Sequence, residues 1–259
     1  MPLRALAFNI WFYGLTLIMG LGGILVRIAA RARTLDYARA WARLVLAGLR
    51  VLCGIEPRVT GMHHLRQGPA LLGCQHQSAF DTLVWLTLLD APSYVFKREL
   101  TDIPLFGPLL VPAGMIPVDR AAGATALRGL VTAARAAHRA GRQIVIFPEG
   151  TRVPPGQRVK LHPGIAAVAG QLRLPVVPVA TNSGLHWGRN TLIKRPGPIH
   201  ITIGPPIPPG TPRAELLDGV EAWWRHAEAA DYLVDNSVGE AQIPRAARTA
   251  RTPETYAES

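Results

Sequence analysis

From Pro57 onward the sequence alternates short apolar runs with helix-patterned stretches, and this alternation constrains the fold more than any other feature. The runs at 69–74, 93–96, 115–118, 143–147, 176–180 and 199–203 are short and apolar, so they read as buried strands. Between them, 81–89, 125–140 and 164–172 read as helices, the first stopped near Pro92 and the second ended by Gly141. Thr211 and Pro212 open a last helix whose Leu216, Leu217, Val220, Trp223 and Trp224 share one face. Strands alternating in this way with helices predict an α/β fold with a mostly parallel central sheet flanked by helices.

The chain ahead of this region has a different character. Residues 5–26 carry no charged side chain, and as a helix they would run about 33 Å against a hydrocarbon core of about 30 Å. The segment is long enough to span a bilayer, while Gly14, Gly20, Gly22 and Gly23 also permit a kinked helix that enters one leaflet and returns. Its apolar run is longer than a usual signal core and only Arg4 precedes it, which disfavours a cleaved signal peptide. Arg27, Arg31 and Arg33 follow it, so the positive-inside rule puts the rest of the chain on the cytoplasmic face of the cell membrane. A second helix over 37–53 sets Trp41, Leu44, Val45, Leu49 and Leu52 against Arg39, Arg43 and Arg50, which suits the headgroup level. The expected organisation is a membrane-anchoring helical region at 1–56, an α/β catalytic domain at 57–238 and a mobile tail at 239–259. The formal net charge of +11 accompanies 49% hydrophobic residues, so it does not signal disorder. With no nucleic-acid motif or aromatic platform, an anionic membrane surface is the expected partner and nucleic acid is not. Cys53 and Cys74 stand in unlike contexts, which argues against a disulfide framework and for a reducing compartment.

Two runs carry the chemistry. His76 lies between an apolar strand and a helix, and Asp81 follows it by five residues. Five residues on a continuous helix separate two side chains by about 140°, so contact requires the histidine to precede the helix and curl over its first turn. An aspartate that accepts from one imidazole nitrogen leaves the other free to take a proton from an alcohol. The alternative is a histidine satisfying backbone groups at a corner, with an aspartate favoured by the helix dipole. Glu149-Gly150-Thr151-Arg152 follows the strand at 143–147, on the rim His76 should share if the two strands are parallel. Arg152 suits a phosphate, Gly150 allows close approach of backbone to an anion, and Glu149 suits Arg152 or a substrate hydroxyl. Lys97 and Arg120 each follow a short strand and would add charge to the same rim, or simply be solvated. Cys74, two residues before His76, invites a thiol-hydrolase reading, and a non-catalytic membrane adaptor is a second rival. His63 and His64 lack companions at metal-ligand spacing, and no metal is expected.

Together with Lys97-Arg98-Glu99-Leu100 and the run 177–184, these blocks resemble the 1-acyl-sn-glycerol-3-phosphate acyltransferases of the glycerolipid acyltransferase superfamily, over residues 57–208. The family's first block, a histidine and an aspartate separated by four residues, is matched by His76 and Asp81, and its Phe-Pro-Glu-Gly-Thr-Arg block at every position. The resemblance implies transfer of a fatty acyl group from acyl-CoA or acyl carrier protein to the sn-2 hydroxyl of lysophosphatidic acid, giving phosphatidic acid in phospholipid biosynthesis. It implies His76 as general base and Asp81 as its orienter. Glu149, Gly150, Thr151 and Arg152, with Lys97 and Arg120, would bind substrate, and no cofactor is needed beyond the thioester co-substrate. Two departures bear on the acceptor: Gln75 stands where many relatives have asparagine, and 160–164 departs from the usual basic-Gly pattern. Ornithine-lipid and other lysolipid acyltransferases share the same blocks.

Overall fold

The structure, a computed structural model, describes residues 2–65 and 70–236; the expected tail at 239–259 and Pro69, the start of an expected strand, lie outside these residues. The elements run α1 (Pro2–Ala29), α2 (Thr34–Cys53), β1 (Ile55–Thr60), β2 (Leu71–Cys74), α3 (Phe80–Leu88), β3 (Pro92–Lys97), α4 (Gly107–Leu110) and β4 (Ile116–Val118). They continue with α5 (Gly123–Arg139), β5 (Gln143–Ile146), α6 (Gly164–Leu172), β6 (Val176–Thr181), α7 (Ser183–His186), β7 (Gly197–Ile203) and α8 (Arg213–Asn236). One sheet in the order β1-β7-β6-β2-β5-β3-β4 forms the middle layer. β6, β2, β5, β3 and β4 are mutually parallel, β7 runs antiparallel to β6, and β1 is parallel to β7. The predicted class, a mostly parallel sheet flanked by helices, is the one observed.

The strands at the centre are apolar over most of their length because both faces are covered. Successive side chains alternate: Leu72, Val145, Val177 and Val179 join a core shared with α2 and α3, while Leu71, Ile144, Ile146 and Val176 join a core shared with α5, α6 and α8. Gly73 in β2 allows α6 to pack close, since a Cβ there would lie 2.8 Å from Ile165 Cδ1. At the edge, β1 begins ahead of residue 57 and contains Glu56, Pro57 and Arg58, with only Ile55 fully buried. A proline is tolerated on an edge strand, and this half-exposed composition hides the strand from an apolar pattern. Gly54, at φ +65, closes α2 through its N–H to the Arg50 carbonyl and turns the chain into β1.

Helix α1 is unbroken over 28 residues. Gly20 and Gly23 bring neighbours close instead of kinking it: a Cβ on Gly20 would lie 2.9 Å from Leu105 Cβ, and one on Gly23 would lie 2.5 Å from Leu109 Cδ1. Along one side, Phe8 is fully buried and stacks edge-on to Trp187, while Trp11 donates to the Leu44 carbonyl of α2 at 3.2 Å. Along the other, Leu3, Leu6, Ile10, Tyr13, Leu17, Leu21, Ile24 and Ile28 are exposed. These positions recur every three or four residues, so they form one uncharged stripe running the length of the helix. Leu3–Ala29 is, among the described residues, the helix long and apolar enough to cross a membrane.

Candidate active site

The corner between β2 and α3 brings the predicted pair together. His76 Nδ1 lies 3.1 Å from Asp81 Oδ2. Asp81 sits in the first turn of α3, and the same Oδ2 accepts from the Gln77 and Ser78 amides, each at 2.7 Å. Three donors thus converge on one oxygen of a carboxylate that is only 3% exposed, at a helix end whose dipole favours negative charge. The convergence fixes Asp81 first and the imidazole through it. Phe147 stacks on the imidazole at 4.3 Å and 25°, which leaves the ring edge bearing Nε2 as the reactive side.

The run after β5 grips His76 from both sides of its backbone. The His76 amide donates to Glu149 Oε2 at 2.5 Å, and the Val153 amide donates to the His76 carbonyl at 2.7 Å. Among the described residues, Glu149 therefore serves the His76 backbone, where the sequence suggested a partnership with Arg152 or a substrate hydroxyl. Gly150, at φ +70, closes the turn with its amide on the Phe147 carbonyl at 3.0 Å. Thr151 points to solvent. Arg152, half-buried and one residue before the Val153 contact, lies within the electrostatic reach of Asp81. Burial lowers the guanidinium pKa most, the Asp81 charge raises it, and the neighbouring Arg189 lowers it again. A cation held beside another cation and partly out of water is stabilised when an anion arrives.

Burial raises the Glu149 carboxyl from 4.5 to about 8, with the His76 amide opposing and the Asp81 charge reinforcing. The folded chain thus keeps a proton that the unfolded chain loses near its ordinary value. Between those two values stability falls as pH rises, by up to about 1.4 kcal/mol per pH unit. Glu149→Gln keeps an acceptor for the His76 amide and removes the titration, so its unfolding free energy should vary less across pH 4.5 to 8 than the wild type's. Denaturant unfolding at several pH values checks this, and equal slopes would contradict it.

The remaining sequence candidates sit further along the same rim. Lys97 ends β3, two strands from β2 and hence roughly 10 Å away, and is more than half exposed in an ion pair with Glu99 at 3.0 Å. Arg120 follows β4, one strand further out, and its side chain lies outside the described residues. Cys74 is wholly buried beside Asp81, and both effects push its thiol well above the ordinary value, the opposite of a nucleophile's environment. The backbone amides at this corner that could face an oxyanion are already engaged: those of His76, Gln77 and Ser78 bind carboxylates, that of Phe80 binds the Ser78 hydroxyl, and that of Gly150 binds the Phe147 carbonyl.

Residues that no local motif marks complete the frame. Gln75 donates to Glu228 of α8 at 2.7 Å and accepts from the Thr181 amide at 3.0 Å. Glu228 also pairs with both guanidinium nitrogens of Arg158, so α8, β6 and the loop after Arg152 are tied at one point. Gln77 accepts from the Gly184 amide at 3.1 Å, and a Cβ on Gly184 would lie 2.8 Å from Pro155. The only hint in the sequence was that Gln75 is not asparagine.

Comparison with known proteins agrees with this geometry. Residues 56–182 match the family model described as Acyltransferase. Over 197 residues the chain is 36% identical to the 1-acyl-sn-glycerol-3-phosphate acyltransferase of Pseudomonas aeruginosa, covering 74% of this chain and 77% of that protein. It is 35% identical over 140 residues to the protein of the same name from Cocos nucifera, spanning 53% of this chain and 46% of that one. The crystal structure of the 1-acyl-sn-glycerophosphate (LPA) acyltransferase PlsC from Thermotoga maritima shares the fold, with a TM-score of 0.71 over 89% of this chain and 98% of that one at 22% identity.

Proposed function

The chain belongs to the 1-acyl-sn-glycerol-3-phosphate acyltransferases, and from that premise we propose that it acylates the sn-2 hydroxyl of lysophosphatidic acid to form phosphatidic acid, with acyl-CoA or acyl carrier protein as donor. The carrying observation is the 3.1 Å contact between His76 Nδ1 and Asp81 Oδ2 beside Arg152. With Nδ1–H given to Asp81, Nε2 bears the lone pair that takes the acceptor's hydroxyl proton.

Arg152 holds the acceptor phosphate, with Lys97 at the end of β3 adding positive charge along the same rim. The acceptor oxygen attacks the thioester carbonyl as Nε2 takes its proton. The tetrahedral intermediate then expels thiolate, and the imidazolium returns the proton to sulfur. One C–O bond forms, one C–S bond breaks, and no protein nucleophile or metal enters. Asp81 contributes a fixed negative charge beside the imidazolium, which stabilises the charge that develops during attack.

The exposed stripe of α1 supports an in-plane membrane contact. Its opposite side is covered by protein from Phe8 to Gly23, so a helix leaving the domain to span the bilayer would uncover that side. Arg27, Arg31 and Arg33 at its end favour an anionic, cytoplasmic leaflet. An interfacial site suits an acceptor that resides in the bilayer and a product that stays there. The rival lyso-ornithine-lipid acceptor lacks the phosphate that Arg152 suits, and a non-catalytic adaptor has no use for an oriented imidazole.

Purified full-length protein, given lysophosphatidic acid in vesicles with each thioester donor, is expected to form phosphatidic acid at a rate unchanged by EDTA, followed by mass spectrometry. Absence of the diacyl product with both donors, or its dependence on an added divalent ion, would contradict the proposal.

A further inference from the structure

The segment between α7 and β7 leaves the sheet as a closed excursion. The Arg195 amide donates to the His186 carbonyl at 2.9 Å, and His186 Nδ1 lies 3.0 Å from the Arg195 carbonyl, so the base is pinned. Inside it, the Lys194 ammonium is only 5% exposed, bonded to Asn9 Oδ1 at 3.2 Å and to the Thr191 and Leu192 carbonyls, and set over Phe8 and Trp187. Asn9 answers by donating to the Leu192 carbonyl at 2.9 Å. The loop is thereby fastened to α1 at Asn9.

That fastening decides what its tip can do. On a helix the surface neighbours of Asn9 lie three and four residues away, and on the exposed side these are Leu6 and Tyr13 of the apolar stripe. Leu192 and Ile193 are 64% and 65% exposed at this seam, so they extend the stripe sideways onto the loop. Two exposed cations, Arg189 and Arg195, flank them. An apolar tip with basic shoulders, continuous with a larger uncharged face, fits the headgroup and acyl boundary of an anionic bilayer. The other end of the loop reaches the active site: Arg189 Nη1 lies 3.4 Å from the Arg152 carbonyl. Among the described residues, no carboxylate lies within ion-pair distance of Arg189 or Arg152.

We infer that the Gly188–Arg195 loop is a second lipid-contacting element, which seats Leu192 and Ile193 in the bilayer interface beside α1 and presents Arg189 with Arg152 to the acceptor's phosphate. The inference rests on the reading of α1 as membrane-facing and adds a path by which the headgroup passes from bilayer to base. Anchoring by Lys194 and Asn9 sets the depth of the tip, while the two guanidinium groups draw the phosphate off the surface.

The test uses the full-length chain and mixed phosphatidylcholine–phosphatidylglycerol vesicles. Leu192→Ser with Ile193→Ser is expected to lower the vesicle-bound fraction several-fold in sedimentation, with the unfolding midpoint unchanged. Arg189→Glu is expected to raise the KM for lysophosphatidic acid on the order of tenfold, the scale of a lost charge-assisted hydrogen bond, with kcat changed less and with recovery in Arg189→Lys. A folded serine variant that sediments like the wild type, or a folded Arg189→Glu with wild-type KM, would overturn the inference while leaving the proposed reaction intact. A wild-type chain that does not sediment with these vesicles would overturn both the loop assignment and the membrane reading beneath it.

Discussion

His76→Ala is expected to reduce acyl transfer on the order of 10²- to 10⁴-fold, the usual contribution of a positioned general base, while the protein stays folded. The structure separates these two effects unusually well. The contacts to Glu149 and Val153 use the His76 backbone, so alanine keeps both. Asp81 loses the imidazole but retains the Gln77 and Ser78 amides on the same oxygen, and no buried charge is orphaned. The expected stability change is therefore that of one lost hydrogen bond and one stacking contact, about 1 to 2 kcal/mol. Turnover by the purified variant, measured alongside its unfolding free energy, checks both parts. Near wild-type turnover in a folded variant would remove the base assignment.

Asp81→Asn should separate charge from geometry. The side-chain oxygen of asparagine still accepts from the two corner amides, so the turn persists. What disappears is the negative charge facing the imidazolium, and the new amide nitrogen occupies the place of Oδ1, which has no hydrogen-bond partner among the described residues. A buried donor left unpaired costs about 1 to 3 kcal/mol. The expected outcome is a fall in kcat on the order of 10²-fold or more, a smaller change in the KM for the acceptor, and a loss of stability of that size. His76→Ala also loses turnover and some stability, but it leaves no buried donor unpaired, because the Gln77 and Ser78 amides keep their acceptor. Steady-state kinetics with denaturant unfolding resolves the two, and a variant with wild-type kcat would show that the carboxylate only shapes the corner.

These variants also mark how far local pattern reaches. The strand ahead of His76, the helix that begins at Phe80 and the strand ahead of Glu149 are short-range features, and their parallel pairing puts both motifs on one rim. The dyad was legible because five residues of chain at a strand-to-helix corner allow few arrangements. The contact that Glu149 makes was not, since the amide it holds lies 73 residues away. Gln75 meets Glu228 across 153 residues, and Arg189 meets the Arg152 carbonyl across 37. Such pairings depend on which helix covers which face of the sheet, a property of packing that periodicity does not encode. α1 shows a related limit: both sides of the helix are apolar, so composition cannot tell the side packed on protein from the side left bare. The one-turn helices α4 and α7 are too short to leave a periodic signature at all.

The central claim is that one oriented imidazole acts on a hydroxyl whose neighbouring phosphate is held by Arg152. The most direct measurement offers the purified wild-type chain a labelled acyl thioester with lysophosphatidic acid, and separately with the matching monoacylglycerol that lacks the phosphate. The account predicts efficient transfer to the first, little to the second, and no appreciable release of free fatty acid. Comparable transfer to both acceptors, or fatty acid as the main product, would contradict it.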